Sequence, residues 1–206
     1  MPTPRTLRAA ARRVTEADAR IVRAAAPPPD TLLETLVATV GKMGDQPELR
    51  TLSAAVVAAG LLTSNRRMTR AGVRMLLAHE LATLGKDLIK EQVDRTRPHS
   101  ARSNRERAVK PGRHTAKTMT SFPSGHSAGA IAAARAFGRE FPEYRATALA
   151  AAAAVAAMQV PRLNHYPTDV AAGMLLGLLC EALASLVLPE LEDSRPEAPP
   201  RPPLRA

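Results

Sequence analysis

The sequence predicts an all-α fold, organised as a multi-pass transmembrane helical bundle. Three observations predict it. The apolar segments are runs of Ala, Leu, Val and Met at helical length, with no strand signal and no internal repeat. Several are apolar all round, and the chain has no other hydrophobic surface to bury them against. Three Phe, two Tyr and no Trp leave the packing to small side chains, which let membrane helices approach closely. A spanning helix takes about 20 apolar residues. Several runs are shorter, so a soluble all-α bundle stays the alternative.

The 206 residues suffice for one domain with a core, or for one small membrane bundle. Residues 1–29 read as a basic tail and linker ending in Ala-Pro-Pro-Pro-Asp, an arm in solvent or on a membrane surface. The tail is too charged for a signal peptide, so export of a soluble mature protein is not expected. Residues 30–188 form the helical domain. Its first helix covers 32–40, and the charge-free run 52–63 lies between Arg50 and Arg66-Arg67. Residues 71–89 have helical periodicity and carry Arg74, His79, Glu80 and Lys86. Residues 91–122 are polar, basic and loop-like. A helix over 127–137 is broken by "GREFPEYR"; 146–160 and 170–188 are the longest apolar runs, the second interrupted only by Glu181. Residues 189–206 form a Pro-rich tail of disordered composition.

A formal charge of +10, carried by 24 Arg and 5 Lys, attracts polyanions: nucleic acid, anionic lipid or a phosphorylated substrate. One basic group is Arg5, Arg8, Arg12, Arg13, Arg20 and Arg23; a second runs from Lys90 to Lys117. No nucleic-acid module or aromatic stacking platform accompanies them, so nucleic acid is not an expected partner. The single cysteine, Cys180, lies among leucines and reads as an inert buried thiol.

Three short clusters carry chemistry-bearing residues. In "SFPSGHSAGA" (121–130), Ser124-Gly125-His126 stands at the mouth of a helix. Alone, that is ordinary turn and N-cap material. In "KEQVDRTRP", Lys90 and Arg97 are seven apart, which on a helix is two turns and one face. Pro98 disfavours helical geometry at Arg97 and places its guanidinium at the helix end. The bland reading is a solvated terminus with Glu91, Asp94 and Arg95 pairing. In "PRLNHYPTDVAAG", His165 and Asp169 are four apart and Pro167 suits a first helical turn. Asp169 can accept from Nδ1 of His165, leaving Nε2 as nucleophile or base. Here the bland reading is an acidic residue at a helix N-terminus. A metal held by His126, His165 and Asp169 lacks a further ligand at suitable spacing, so neither metal nor cofactor is expected.

In order, K-x6-RP, PSGH and H-x3-D resemble the motifs of the type 2 phosphatidic acid phosphatase superfamily, over roughly residues 52–188. That superfamily includes lipid phosphate phosphatases, bacterial class A acid phosphatases and vanadium haloperoxidases. The resemblance implies that Lys90, Arg97, Ser124 and Gly125 bind a phosphoryl group and that His126 protonates the leaving group. It implies His165 as the nucleophile, forming a phosphohistidine, with Asp169 orienting it. Elementary chemistry agrees, since helix-start N–H groups beside Lys and a forked Arg make an anion cradle. The departure is in the third motif, whose usual Ser-Arg is here Met158-Gln159. Arg162, about one turn further on, is expected to supply the missing guanidinium.

The three clusters have to meet on one membrane face, which makes that face the active site. Two helices separate the second cluster from the third, and only loop separates the first from the second, so the parity holds. Arg66, Arg67, Arg70, Arg139 and Arg145 then fall on the opposite side, cytoplasmic by the positive-inside rule, and the site faces the extracytoplasmic side. The basic loop 91–117 runs against a simple charge count and suits anion steering. The expectation is a phosphatase of the cell membrane whose partners are membrane lipids and a lipid phosphate or diphosphate substrate. Candidate substrates are polyprenyl diphosphate, polyprenyl-phosphate sugar phosphate, phosphatidate and phosphatidylglycerol phosphate. The alternatives are a soluble acid phosphatase of the same superfamily and a non-enzymatic basic protein binding a membrane surface or nucleic acid.

Overall fold

The computed structural model describes residues 4–188. Eight α-helices are found among them: α1 (Pro4–Ala25), α2 (Leu32–Lys42), α3 (Gln46–Leu62), α4 (Arg66–Lys90), α5 (Asn104–Arg107), α6 (Gly125–Glu140), α7 (Arg145–Ala157) and α8 (Pro167–Val187). The fold is all-α, as the residue pattern predicts. The Pro-rich tail expected over 189–206 lies outside the described residues.

Helices α3, α4, α6, α7 and α8 run alternately up and down. Asp45 at the head of α3 meets His126 at the head of α6, whereas Arg67 at the head of α4 reaches the Glu140 carbonyl at the foot of α6. Helix α6 is the centre, packed by α4, α7 and α8. Its core face is nearly all alanine: Ala128, Ala132, Ala133 and Ala136 join Met75, Ala78 and Ala82 of α4 and Cys180 and Ala184 of α8. Small side chains set the spacing. A Cβ at Gly173 or Gly177 would strike the carbonyl oxygens of Ser124 and Ala128, so α8 lies directly on the α6 backbone.

The end away from Asp45 is tied by charge. Glu140 takes Arg74 at 2.6 Å and Arg70 at 3.2 Å, and Glu143 takes Arg67 at 2.9 Å. Glu181, which interrupts the apolar run of α8, is buried and paired with Arg135 and Arg139. Among the described helices, only α8 is both long and apolar enough to cross a membrane by itself, at 21 residues and a mean hydropathy of 2.1. Leu175, Leu179, Leu183 and Leu186 form an exposed stripe along it.

Two segments differ from the sequence expectation. Residues 4–25, read as part of a charged arm, are a 22-residue helix. Its Ala- and Arg-rich composition favours helix, and Thr15, Asp18, Ala19 and Val22 make a buried face at helical spacing. The abundance of charge hides that face in a linear reading. The loop 91–122 is also more ordered than expected. A two-residue antiparallel ladder pairs β1 (Val93–Asp94) with β2 (Lys110–Pro111), and Arg95 bridges Thr120.

Candidate active site

Helix α4 ends at Lys90, and Glu91 caps it. The seven-residue spacing from Lys90 to Arg97 is therefore not two helical turns, a correction to the sequence reading. Strand β1 and the hydrogen bonds of Arg95 and Arg97 to the Met119 and Thr118 carbonyls, each 2.8 Å, turn the chain back instead. The result still places both cations in one cleft. Arg97 is buried and its Nε has no hydrogen-bond partner.

Ser124 is the N-cap of α6. Its Oγ accepts from the Ser127 amide at 3.3 Å and the Ser127 hydroxyl at 2.9 Å. The expected phosphate-binding hydroxyl thus caps a helix, with its own proton still available for donation. Gly125 faces the cleft beneath the alkyl chain of Lys86; a Cβ here would lie 2.6 Å from Lys86 Cδ. The start of α6 stays open for that reason.

His165 is fully buried, between α7 and α8. Its Nδ1 lies 2.7 Å from the Ser121 carbonyl oxygen and 3.8 Å from Asp169 Oδ2. The second distance exceeds a hydrogen bond. The proton expected to go to Asp169 is donated to Ser121, which is the second correction. Asp169 works one step removed. It accepts from Ser121 Oγ at 2.5 Å and from the Tyr166 amide at 2.9 Å, fixing the two residues that flank the imidazole. Nε2 of His165 has no partner. Burial lowers the His165 pKa below 6.5, against the opposing pull of Asp169. The ring is held neutral, with a lone pair on Nε2.

His126 meets His165 edge to face, with ring centroids 5.6 Å apart. Its Nε2 lies 2.5 Å from Oδ1 of Asp45. Burial raises the Asp45 carboxyl above its usual range, against the charge of Arg162. Asp45 is a residue that the sequence reading missed. It stands in "GDQP", a pattern that promises only an N-cap, yet its side chain makes no capping bond.

Arg162 is half-buried beside the cleft, not on its wall. The guanidinium packs on Gly41, and Nη1 reaches Gln159 Oε1 at 3.4 Å. Gln159, where the related motif has arginine, is buried and donates to the Gly41 and Val155 carbonyls at 2.9 and 3.2 Å. It ties α7 to α2. The charge of Arg162 bears on Asp45, Arg97 and His126.

The cleft so formed encloses about 320 Å³ and is lined by Asp45, Lys90, Arg97, Gly125, His126 and His165, among others. An unpaired imidazole nitrogen, a second histidine with a carboxylate partner and several cations suit phosphoryl transfer. Residues 71–193, more than half of the chain, match the family model of the PAP2 superfamily. The chain belongs to the PAP2 superfamily. It is 34% identical to a lipid A 1-phosphatase of Rhizobium johnstonii over 102 residues, which are 49% of this chain and 41% of that protein. The chain thus spans less than half the length of that curated relative. Among solved structures, a transmembrane PAP2-type phosphatidylglycerolphosphate phosphatase from Bacillus subtilis superposes with a TM-score of 0.65, at 25% identity, covering 88% of this chain and 89% of that one. LpxE of Aquifex aeolicus superposes with a TM-score of 0.56, at 20% identity, over 82% and 92%. At that identity it speaks for the fold alone.

Proposed function

We propose that this PAP2 protein is a membrane phosphatase that hydrolyses a lipid phosphate or diphosphate through a phosphohistidine on His165. The observation that carries the reading is the buried, neutral His165 with an unpartnered Nε2, next to His126 in a cationic cleft. Lys90, Arg97 and the Gly125 amide hold the phosphoryl oxygens, and the Ser124 proton adds a further donor. Arg162 acts from behind the wall, adding positive potential in place of the arginine that Gln159 displaces. Nε2 of His165 attacks phosphorus, and the bond from phosphorus to the leaving oxygen breaks. His126 delivers a proton to that oxygen. It then takes a proton from water, which attacks the phosphohistidine and releases phosphate. Asp169 and Ser121 keep the imidazole aimed.

The bundle crosses the membrane through α3, α4, α6, α7 and α8, with α8 the most apolar. Arg66, Arg67, Arg70, Arg139 and Arg145 stand at the end away from the cleft. The positive-inside rule makes that end cytoplasmic and turns the cleft to the extracytoplasmic side.

The cations and backbone donors supply the charge stabilisation that a metal would otherwise give. Detergent-extracted protein should release phosphate from at least one member of a lipid-phosphate panel, retain that activity in EDTA, and be inhibited by vanadate. Silence across the panel would overturn the reading. So would complete loss in EDTA with recovery on adding zinc or magnesium, which would replace the mechanism.

Asp45→Asn isolates the acid role of His126. The amide cannot accept from His126 Nε2 as the carboxylate does, so kcat for an alkyl leaving group should fall about 10-fold. A nitrophenyl leaving group should be affected least. A uniform loss across leaving groups would make Asp45 a packing residue only.

A further inference from the structure

The catalytic cleft adjoins a larger basin of about 710 Å³. Lys86, Lys90, Arg97 and Lys117 line both spaces. Arg113, His114 and Thr115 line the basin alone. A single reacting phosphoryl group engages Lys90 and Arg97 within the smaller space. It leaves the basin unfilled, and a volume of this size is that of a ligand site in its own right.

The basin carries a surplus of positive charge. Five Lys and Arg side chains line it against Asp87 and Glu91, and Asp87 is already paired with Lys86 at 2.5 Å. Arg113 and Lys117 form no ion pair among the described residues. Neither cation belongs to a structural network.

The wall that presents Arg113 is fixed. Asp94 is buried, accepts the His114 amide at 2.9 Å and lies 2.5 Å from His114 Nδ1. Its carboxylate also occupies the space that a Cβ at Gly112 would need. The β1–β2 ladder closes the same turn. Arg113 therefore stands between two anchored neighbours, on a preorganised turn. Such anchoring suits a binding wall better than a loosely steering tail.

We infer that this basin binds a second anionic group of the lipid headgroup, so that the preferred substrate carries a further negative charge beside the phosphate it loses. The inference rests on the phosphatase reading and narrows its substrate class. It sets a bis-anionic headgroup above a simple lipid monophosphate.

The experiment compares two lipids with the same acyl chains, phosphatidate and phosphatidylglycerol phosphate, in mixed micelles. The second adds a phosphodiester anion to the reacting monoester. The quantity read is the ratio of their kcat/KM values, in the unmodified protein and in Arg113→Ala and Arg113→Glu. The unmodified protein should favour the bis-anionic lipid. The ratio should fall about 10-fold in Arg113→Ala, the loss of one charge-assisted contact, and further in Arg113→Glu. A ratio that stays within about 2-fold while both rates drop together would make Arg113 a steering charge and overturn the subsite. Phosphate release from neither lipid by the unmodified protein would overturn the subsite, and silence across the whole lipid-phosphate panel would overturn the phosphatase reading with it.

Discussion

Replacing His165 with alanine should abolish phosphoenzyme formation and lower kcat by at least about 10⁴-fold, the scale on which removal of a covalent nucleophile acts. The size follows from the geometry. The ring is fully buried and its Nδ1 is committed to the Ser121 carbonyl. Of its two ring nitrogens, Nε2 alone remains for chemistry. Substrate trapped by rapid acid or base quench should label the unmodified protein in an acid-labile, base-stable form, and His165→Ala not at all. His126→Ala should instead slow departure of the leaving group, with the smallest loss for nitrophenyl phosphate. The pH dependence follows with a definite sign. Burial holds the His165 pKa below 6.5, so the nucleophile stays neutral as pH falls through that value. The acid limb of kcat/KM should accordingly lie below pH 6.5. Equal and mild losses from the two histidine variants would mean that both are packing residues.

The parts of this site that sequence made legible are those in which chemistry and local backbone coincide. Ser124-Gly125-His126 is readable because a helix start must expose its first N–H groups, and glycine admits the close approach of Lys86. His165 and Asp169 are readable because Pro167 fixes where α8 begins. What escaped are pairings made across the chain. Nothing near Asp45 announces His126. The Nδ1 partner of His165 is a carbonyl 44 residues away, and any residue type carries a carbonyl. Lys90 and Arg97 share a cleft, but not through helical spacing, because spacing alone does not reveal that a helix has ended. In α1, the period of Thr15, Asp18, Ala19 and Val22 was present but overshadowed by six arginines.

Replacing Arg95 with methionine should cost about 3–5 kcal/mol of stability, because it strands two buried carboxylates. Arg95 is 2% exposed and ties three helices together, α1, α5 and α8. Nη2 meets Asp18 of α1 at 2.6 Å, and Nη1 meets Asp169 of α8 at 2.5 Å. Nη1 also donates to Thr168 at 2.7 Å, and Nε donates to the Arg107 carbonyl at 2.7 Å. The guanidinium lies 4.1 Å from the centre of the Tyr166 ring. Methionine fills much of the volume and satisfies none of these oxygens. For a chain of this length the apparent Tm in detergent should drop by roughly 10 °C. Removing one stranded charge should return part of that loss, so Arg95→Met with Asp18→Asn should be more stable than Arg95→Met alone. Two further readouts separate this network from ordinary packing. Protease cleavage within α1 should rise, since Asp18 is the helix's charged anchor. Turnover should fall at temperatures where the fold is intact, because Asp169 positions Ser121, and Ser121 holds His165. An Arg95→Met protein within about 1 kcal/mol of the original, with α1 still protected, would mean that α1 is held by its apolar face and that the three-way ion pair adds nothing to the site.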